Sequence, residues 1–193
     1  GKLLNHLEIY KKIKDLPGDV LEFGVYKGTS MVRLLSFRNL LESEYSRKII
    51  GFDIFGKFPD ELQLASDRLF VKGFENAGGY GISKNEFEMH LNNKGFRNYS
   101  LVEGNIIKTI PEYLVKNPSL KISILHIDVD VYEPTLFILE NLWNKIVKGG
   151  ILMLDDYGTV EGETKAVDEF FAGKNIQINK PRFNNIPSYI IKP

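Results

Sequence analysis

Three observations predict that this sequence folds as an α/β protein on a doubly wound, mostly parallel sheet. Short apolar runs recur with helical periodicity between them, a glycine-containing turn follows the first run, and acidic residues close several of the runs. Such alternation places helices on both faces of an open, Rossmann-like sheet, here of about seven strands, with ligands beyond the strands' carboxyl ends.

The elements follow in order. Leu3, Leu7, Tyr10 and Ile13 fall at helical spacing among lysines, so residues 1–16 read as an amphipathic helix that Pro17-Gly18 ends. Val20-Leu21-Glu22-Phe23-Gly24-Val25 reads as a buried strand, and its turn leads into a helix over 29–44. Lys48-Ile49-Ile50-Gly51-Phe52-Asp53 and Ser100-Leu101-Val102-Glu103-Gly104 supply the next strands. Ile122-Ser123-Ile124-Leu125-His126-Ile127-Asp128 is the fourth, a helix covers 133–147, and Gly149-Gly150 opens a fifth over 151–154. A helix over 163–171 and strands at 176–178 and 188–191 complete the sheet, the last pair as an antiparallel hairpin. The segment 58–95 lacks this regularity and carries Gly78-Gly79-Tyr80-Gly81, which reads as a lid or substrate loop. No repeat or linker divides the chain, so 1–193 is one domain.

Composition narrows the function classes. Lys and Arg number 25 against 25 Asp and Glu, so no whole-molecule field draws the protein to nucleic acid or an anionic membrane. Cysteine is absent, which excludes disulfides, thiolate metal sites and a cysteine nucleophile, and fits a reducing, cytoplasmic setting. No apolar run approaches the roughly 18 residues of a membrane helix, and residues 1–16 are too charged for a signal peptide. The chain opens on Gly1 rather than methionine, as a trimmed or excised piece of a longer chain would.

The turn Glu22-Phe23-Gly24-Val25-Tyr26-Lys27-Gly28-Thr29-Ser30 stands where open α/β sheets hold a cofactor. Gly24 and Gly28 would let backbone approach a ligand, and Thr29 and Ser30 would offer hydroxyls and free N–H groups to a carboxylate. A tight turn with no ligand explains the same glycines. The dinucleotide pattern Gly-x-Gly-x-x-Gly is missing. Asp53, at the end of the second strand, is placed to accept from both ribose hydroxyls of an adenosine, although acidic strand ends are often only solvated. Gly104-Asn105 follows the third strand, where an amide would meet the adenine edge.

Two acidic groups also fall at strand ends: Asp128-Val129-Asp130 and, one strand later, Asp155-Asp156. The helix between them, about 15 residues or roughly 22 Å, is long enough to make the two strands parallel neighbours. Asp128, Asp155 and Asp156 then converge, and crowded carboxylates raise one another's pKa unless a cation neutralises them. An oxygen-only ligand set favours a hard divalent ion, Mg²⁺ foremost. Helix capping explains some of the same acids. Asp130 lies on the rim, where it suits a general base. His126 reads as a core histidine, His6 and His90 as helix-surface residues, Trp143 as packing, and Glu161, Glu163 and Lys165 as a solvated helix start.

Four segments carry a resemblance to a known family. They are residues 17–28 (Pro-Gly-Asp-Val-Leu-Glu-Phe-Gly-Val-Tyr-Lys-Gly), Phe52-Asp53-Ile54-Phe55, residues 126–135 (His-Ile-Asp-Val-Asp-Val-Tyr-Glu-Pro-Thr) and residues 149–158 (Gly-Gly-Ile-Leu-Met-Leu-Asp-Asp-Tyr-Gly). Over nearly its whole length the chain resembles the macrocin O-methyltransferase (TylF-like) family of class I methyltransferases, in particular its deoxyhexose 3-O-methyltransferase members. The resemblance implies an S-adenosylmethionine site lined by Glu22, Gly24, Tyr26, Gly28, Ser30 and Asp53, with Mg²⁺ at Asp128, Asp155 and Asp156 and Asp130 as base. The first turn is also similar to that of catechol O-methyltransferase. Where the family often has Asp-Gly-Asp this chain has Asp128-Val129-Asp130, and longer members carry N-terminal sequence that covers the site and builds oligomers, so a homo-oligomer stays open.

The expected activity is metal-assisted transfer of a methyl group to a hydroxyl of a small, sugar-containing acceptor. A catechol or macrolide hydroxyl is the alternative acceptor. A nucleotide-dependent oxidoreductase and a non-catalytic carbohydrate-binding protein are the competing classes.

Overall fold

Among the described residues, runs of Ile, Val, Leu and Phe form six strands: β1 (Asp19–Phe23), β2 (Ile49–Asp53), β3 (Tyr99–Glu103), β4 (Ile122–Ile127), β5 (Ile146–Leu154) and β6 (Ser188–Ile191). The computed structural model describes residues 1–58 and 64–193. The sheet order is β3-β2-β1-β4-β5-β6. Every neighbouring pair is parallel except β5 and β6, which run antiparallel. The order reverses between β1 and β4, so a crevice opens beyond their carboxyl ends.

Helices α1 (Lys2–Tyr10), α2 (Thr29–Leu41) and α4 (Lys84–Asn93) cover one face, packing Ile9, Leu34 and Phe87 toward Val20, Ile49 and Ile124. Helices α5 (Ile106–Lys116), α6 (Tyr132–Leu142) and α7 (Glu161–Phe171) cover the other, packing Ile110, Leu139 and Val167 toward Leu21, Ile50 and Leu125. The alternation of Val20 with Leu21 and of Ile49 with Ile50 between the two cores is the strand period of two. Helix α3 (Ala65–Asn76) touches α7, and Asp67 on it accepts a hydrogen bond from the Tyr132 N–H that begins α6, at 2.9 Å. Among the described residues no helix is long and apolar enough to cross a membrane.

Four elements differ from the sequence reading. The N-terminal helix ends at Tyr10, and its inward stripe is His6, Ile9 and Tyr10, continued by Ile13 in the turn that follows, while Leu3 is left outside. His6 is therefore fully buried, not a surface residue. Helix α6 stops at Leu142, and β5 begins at Ile146, ahead of Gly149-Gly150; the left-handed Gly149 lies in a register shift against β4. Residues 176–178 form no strand, and only Asn179 bridges to Tyr189; Asn179 also turns its side-chain amide onto the Gln177 carbonyl, and Pro181 follows.

The described residues of the segment 58–95 are largely helical, with α3 and α4 on either side of the glycine run and Ser83 accepting from the Glu86 N–H as the α4 cap. Part of the expected lid, residues 59–63, lies outside the described residues.

One buried ion pair ties the N-terminal face together. The Arg47 guanidinium reaches Glu42 at 2.7 Å, Ser123 Oγ at 2.7 Å, and the carbonyls of Ile13, Leu16 and Gly18. It satisfies the backbone of the turn that carries the chain from α1 into β1.

Candidate active site

The crevice is a cavity of about 320 Å³ across the carboxyl ends of β1, β2, β4 and β5. Gly24, Tyr26, Asp53, Gly104 and Asn105 line it together with Lys2, Asp128, Asp130, Asp155 and Asp156, Gly24 and Asp128 in direct contact. Phe58 and Phe74, from the segment expected to be a lid, line the same cavity as Tyr26, with the Tyr26 and Phe74 rings 5.4 Å apart.

The glycine turn is shaped first by the protein. Gly24 has φ of 88°, and a Cβ there would lie 1.7 Å from the Asp128 carbonyl oxygen, so only glycine lets β1 end against β4. A Cβ on Gly28 would lie 2.0 Å from the Phe87 ring, so its small size serves helix packing. Asp53 accepts the N–H groups of Val25 at 2.6 Å, Tyr26 at 2.9 Å and Phe55 at 2.6 Å, clamping the turn. Asn105 caps α5 by accepting from the Ile107 N–H at 3.0 Å. Glu22, Gly28, Thr29 and Ser30 are not on the cavity wall; Thr29 and Ser30 open α2, and Glu22 is fully buried, its Oε1 3.0 Å from His126 Nδ1.

Asp128, Asp155 and Asp156 come together as parallel strands require: one carboxylate oxygen from each lies within 4.8 Å of the others. Burial and the neighbouring Asp155 charge push Asp128 well above the carboxylate range, and Asp156 is raised for the same reasons. Asp130 is pushed up to about 8 by burial and by the adjacent Asp156 charge. Asp155 moves the other way: burial would raise it, but the His126 and Lys2 charges together hold it at about 2. Lys2 donates to Asp155 Oδ2, so an ammonium stands where a cation is demanded. This oxygen-only set with excess negative charge fits a hard divalent ion.

Asp130 holds a left-handed φ of 62° in a γ-turn that the Val131 N–H closes onto the Val129 carbonyl at 2.6 Å. Its own carbonyl accepts the Glu163 N–H at 3.1 Å, while Glu163 Oε1 accepts the Asp156 N–H at 3.0 Å. Glu163 is thus a buried brace between the two acidic loops, not part of a solvated helix start, whereas Glu161 and Lys165 are exposed. Burial and the Asp156 charge raise its carboxyl well above the usual range.

Sequence reasoning missed Lys2, His6 and Glu163. Nothing in a short helix marks Lys2 as cavity-facing, although the stripe Ile9-Tyr10-Ile13 extended back by three positions would have found His6. His126 is in the core as expected, but ionically paired. Trp143 packs against Phe171, ring centres 4.9 Å apart, and His90 is exposed.

Residues 3–189 match the family described as Macrocin-O-methyltransferase (TylF). The chain is 30% identical over 166 residues to demethyldecarbamoylnovobiocin O-methyltransferase of Streptomyces niveus, covering 82% of this chain and 60% of that protein. It is 25% identical over 148 residues to 8-demethyl-8-(2,3-dimethoxy-alpha-L-rhamnosyl)-tetracenomycin-C 4'-O-methyltransferase of Streptomyces olivaceus, covering 74% of this chain and 54% of that one. The chain therefore spans less than two thirds of the length of either relative. Among solved structures, the O-methyltransferase NovP superposes with a TM-score of 0.85 at 24% identity, covering 98% of this chain and 78% of NovP. Calicheamicin methyltransferase CalS11 superposes with a TM-score of 0.75 at 25% identity, covering 98% and 77%. With the family match running over nearly the whole chain, this protein belongs to the macrocin O-methyltransferase family.

Proposed function

We propose that the protein is an S-adenosylmethionine-dependent O-methyltransferase that uses a divalent metal, Mg²⁺ foremost, to methylate a hydroxyl of a small sugar-containing acceptor. The observation that carries this reading is one cavity shared by the Gly24–Asp53 turn and the Asp128, Asp155 and Asp156 carboxylates.

The adenosine half of the donor fits the part of the cavity that Asp53, Gly104 and Asn105 line, with the one Asp53 lone pair left over from its three backbone bonds, on Oδ1, as acceptor for a ribose hydroxyl. Asp128, Asp155 and Asp156 would hold the metal. When bound, the metal supplies electrostatic stabilisation of negative charge developing on an acceptor oxygen. Asp130, on the rim of the same cavity and basic for a carboxylate, takes the hydroxyl proton on its side-chain oxygen. The γ-turn and the Glu163 brace fix where that carboxylate stands. The rings of Tyr26, Phe58 and Phe74 form an apolar wall that excludes water from the donor.

A sugar acceptor is supported by the relatives, whose names include a rhamnosyl tetracenomycin and, for CalS11 at 26% identity, TDP-rhamnose. The test is a panel of nucleotide-linked deoxysugars and glycosylated aglycones incubated with methyl-labelled donor, with and without chelator. Label transfer to a sugar hydroxyl that needs the metal supports the reading. Transfer only to catechols, or to nothing, contradicts it.

A further inference from the structure

A second group of potential ligands lies behind the carboxylates. His6 of α1, His126 of β4 and Asp155 at the end of β5 present one ligand atom each, all within 4.8 Å of one another. His126 Nε2 stands 3.5 Å and His6 Nε2 3.9 Å from the same oxygen, Asp155 Oδ1. Both histidines are fully buried, and Asp155 is 3% exposed. Among the described residues, both His6 nitrogens, His126 Nε2, Asp155 Oδ1 and Glu22 Oε2 have no hydrogen-bond partner. Buried polar atoms are rarely left so, and His6, His126 and Asp155 bring theirs to one place.

We propose that His6, His126 and Asp155 form a buried site for a borderline divalent transition-metal ion, of which Zn²⁺ and Co²⁺ are the probes, sharing Asp155 with the carboxylate site. The donor set argues the ion. Two imidazoles and a carboxylate suit Zn²⁺ or Co²⁺, whereas the oxygen-only trio on the cavity side suits a hard ion. Zinc bonds of about 2.0–2.1 Å put tetrahedral ligand atoms about 3.3 Å apart, close to the 3.5 Å and 3.9 Å that separate His126 Nε2 and His6 Nε2 from Asp155 Oδ1. Glu22 Oε1 lies 3.0 Å from His126 Nδ1, the carboxylate–imidazole pairing that orients the far nitrogen toward a metal. The ion would stand in for the proton that His126 otherwise holds between the two buried carboxylates, Glu22 and Asp155.

The metal would staple α1, only nine residues long, to the carboxyl ends of β4 and β5. It also gives a His6 nitrogen the bond that no described residue supplies as a hydrogen bond. The site stands independently of the methyl-transfer reading, because it needs neither donor nor acceptor.

The test uses metal-free full chain titrated with Co²⁺ and then Zn²⁺ in excess Mg²⁺. The expected result is one Co²⁺ equivalent with visible ligand-field bands that Zn²⁺ abolishes, and a Tm that Zn²⁺ raises. His6→Asn, checked for folding by circular dichroism, should lose the bands and weaken Zn²⁺ at least about 100-fold, and Glu22→Gln about 10–100-fold. Both should still bind Mg²⁺. Absent bands, or equal Zn²⁺ affinity in wild type and His6→Asn, overturn the proposal; His126 then bridges Glu22 and Asp155 by its own protons, or the ion rests on the carboxylates alone.

Discussion

Gly24 and Asp128 meet backbone to backbone where β1 and β4 end: a Cβ on Gly24 would lie 1.7 Å from the Asp128 carbonyl oxygen. The contact joins the glycine turn to the first of the clustered carboxylates. Gly24→Ala must move one of the two strands and strain a left-handed residue, together roughly 2–5 kcal/mol. Thermal denaturation should show a lower Tm, and calorimetry weaker binding of S-adenosylmethionine. An unchanged Tm would mean that the strand ends yield freely.

Arg47 gives a second prediction, away from the cavity. Its guanidinium is nearly fully buried and holds Glu42, Ser123 and several turn carbonyls. Arg47→Met leaves Glu42 buried without its cation and should cost about 3–5 kcal/mol in urea unfolding. Donor binding by the variant that remains folded should be unchanged.

The alternation of apolar runs with helical stretches made the doubly wound sheet and the acidic strand ends legible in the sequence, because crossover helices between short buried strands leave few topologies. Asp128, Asp155 and Asp156 could be brought together on that basis alone. The side chains behind them could not. Lys2 and His6 reach Asp155 from more than a hundred positions away, and only the tilt of α1 decides which of its residues face the sheet. Gly24 and Gly28 were readable as required glycines, but their reason, close approach to Asp128 and Phe87, is tertiary. Residues 58–95 read as irregular because Gly73, Gly78, Gly79 and Gly81 mask two short helices, α3 without a side-chain cap and α4 with Ser83 as its cap.

Asp130 should set the pH dependence of turnover. Burial and Asp156 push its carboxyl up to about 8, and a base must be deprotonated, so kcat should rise with pH. Cation binding beside it should move that rise to lower pH, which kcat profiles at low and saturating Mg²⁺ would read. Asp130→Asn should lower kcat about 10²–10⁴-fold and abolish the rise, with donor affinity retained.

His126 links stability to alkaline pH. Burial alone would lower its pKa, but the carboxylates of Asp155 and Glu22 together raise it to about 10, above the ordinary value of 6.5. A raised folded pKa gives stability that is fully present below 6.5 and lost as pH climbs through about 10. Urea unfolding of metal-free protein should show stability falling across that window. Glu22→Gln, which removes one of the charges, should flatten the fall.

The central claim is that a metal site and a donor site lie side by side but are separately built, and Asp155→Asn tests it most directly. Isothermal titration of Mg²⁺ and of S-adenosylmethionine into wild type and variant should show metal binding lost and donor binding within about threefold of wild type, well under a tenfold change of 1.4 kcal/mol. Equal loss of both, or no donor binding by the wild type, would contradict the account.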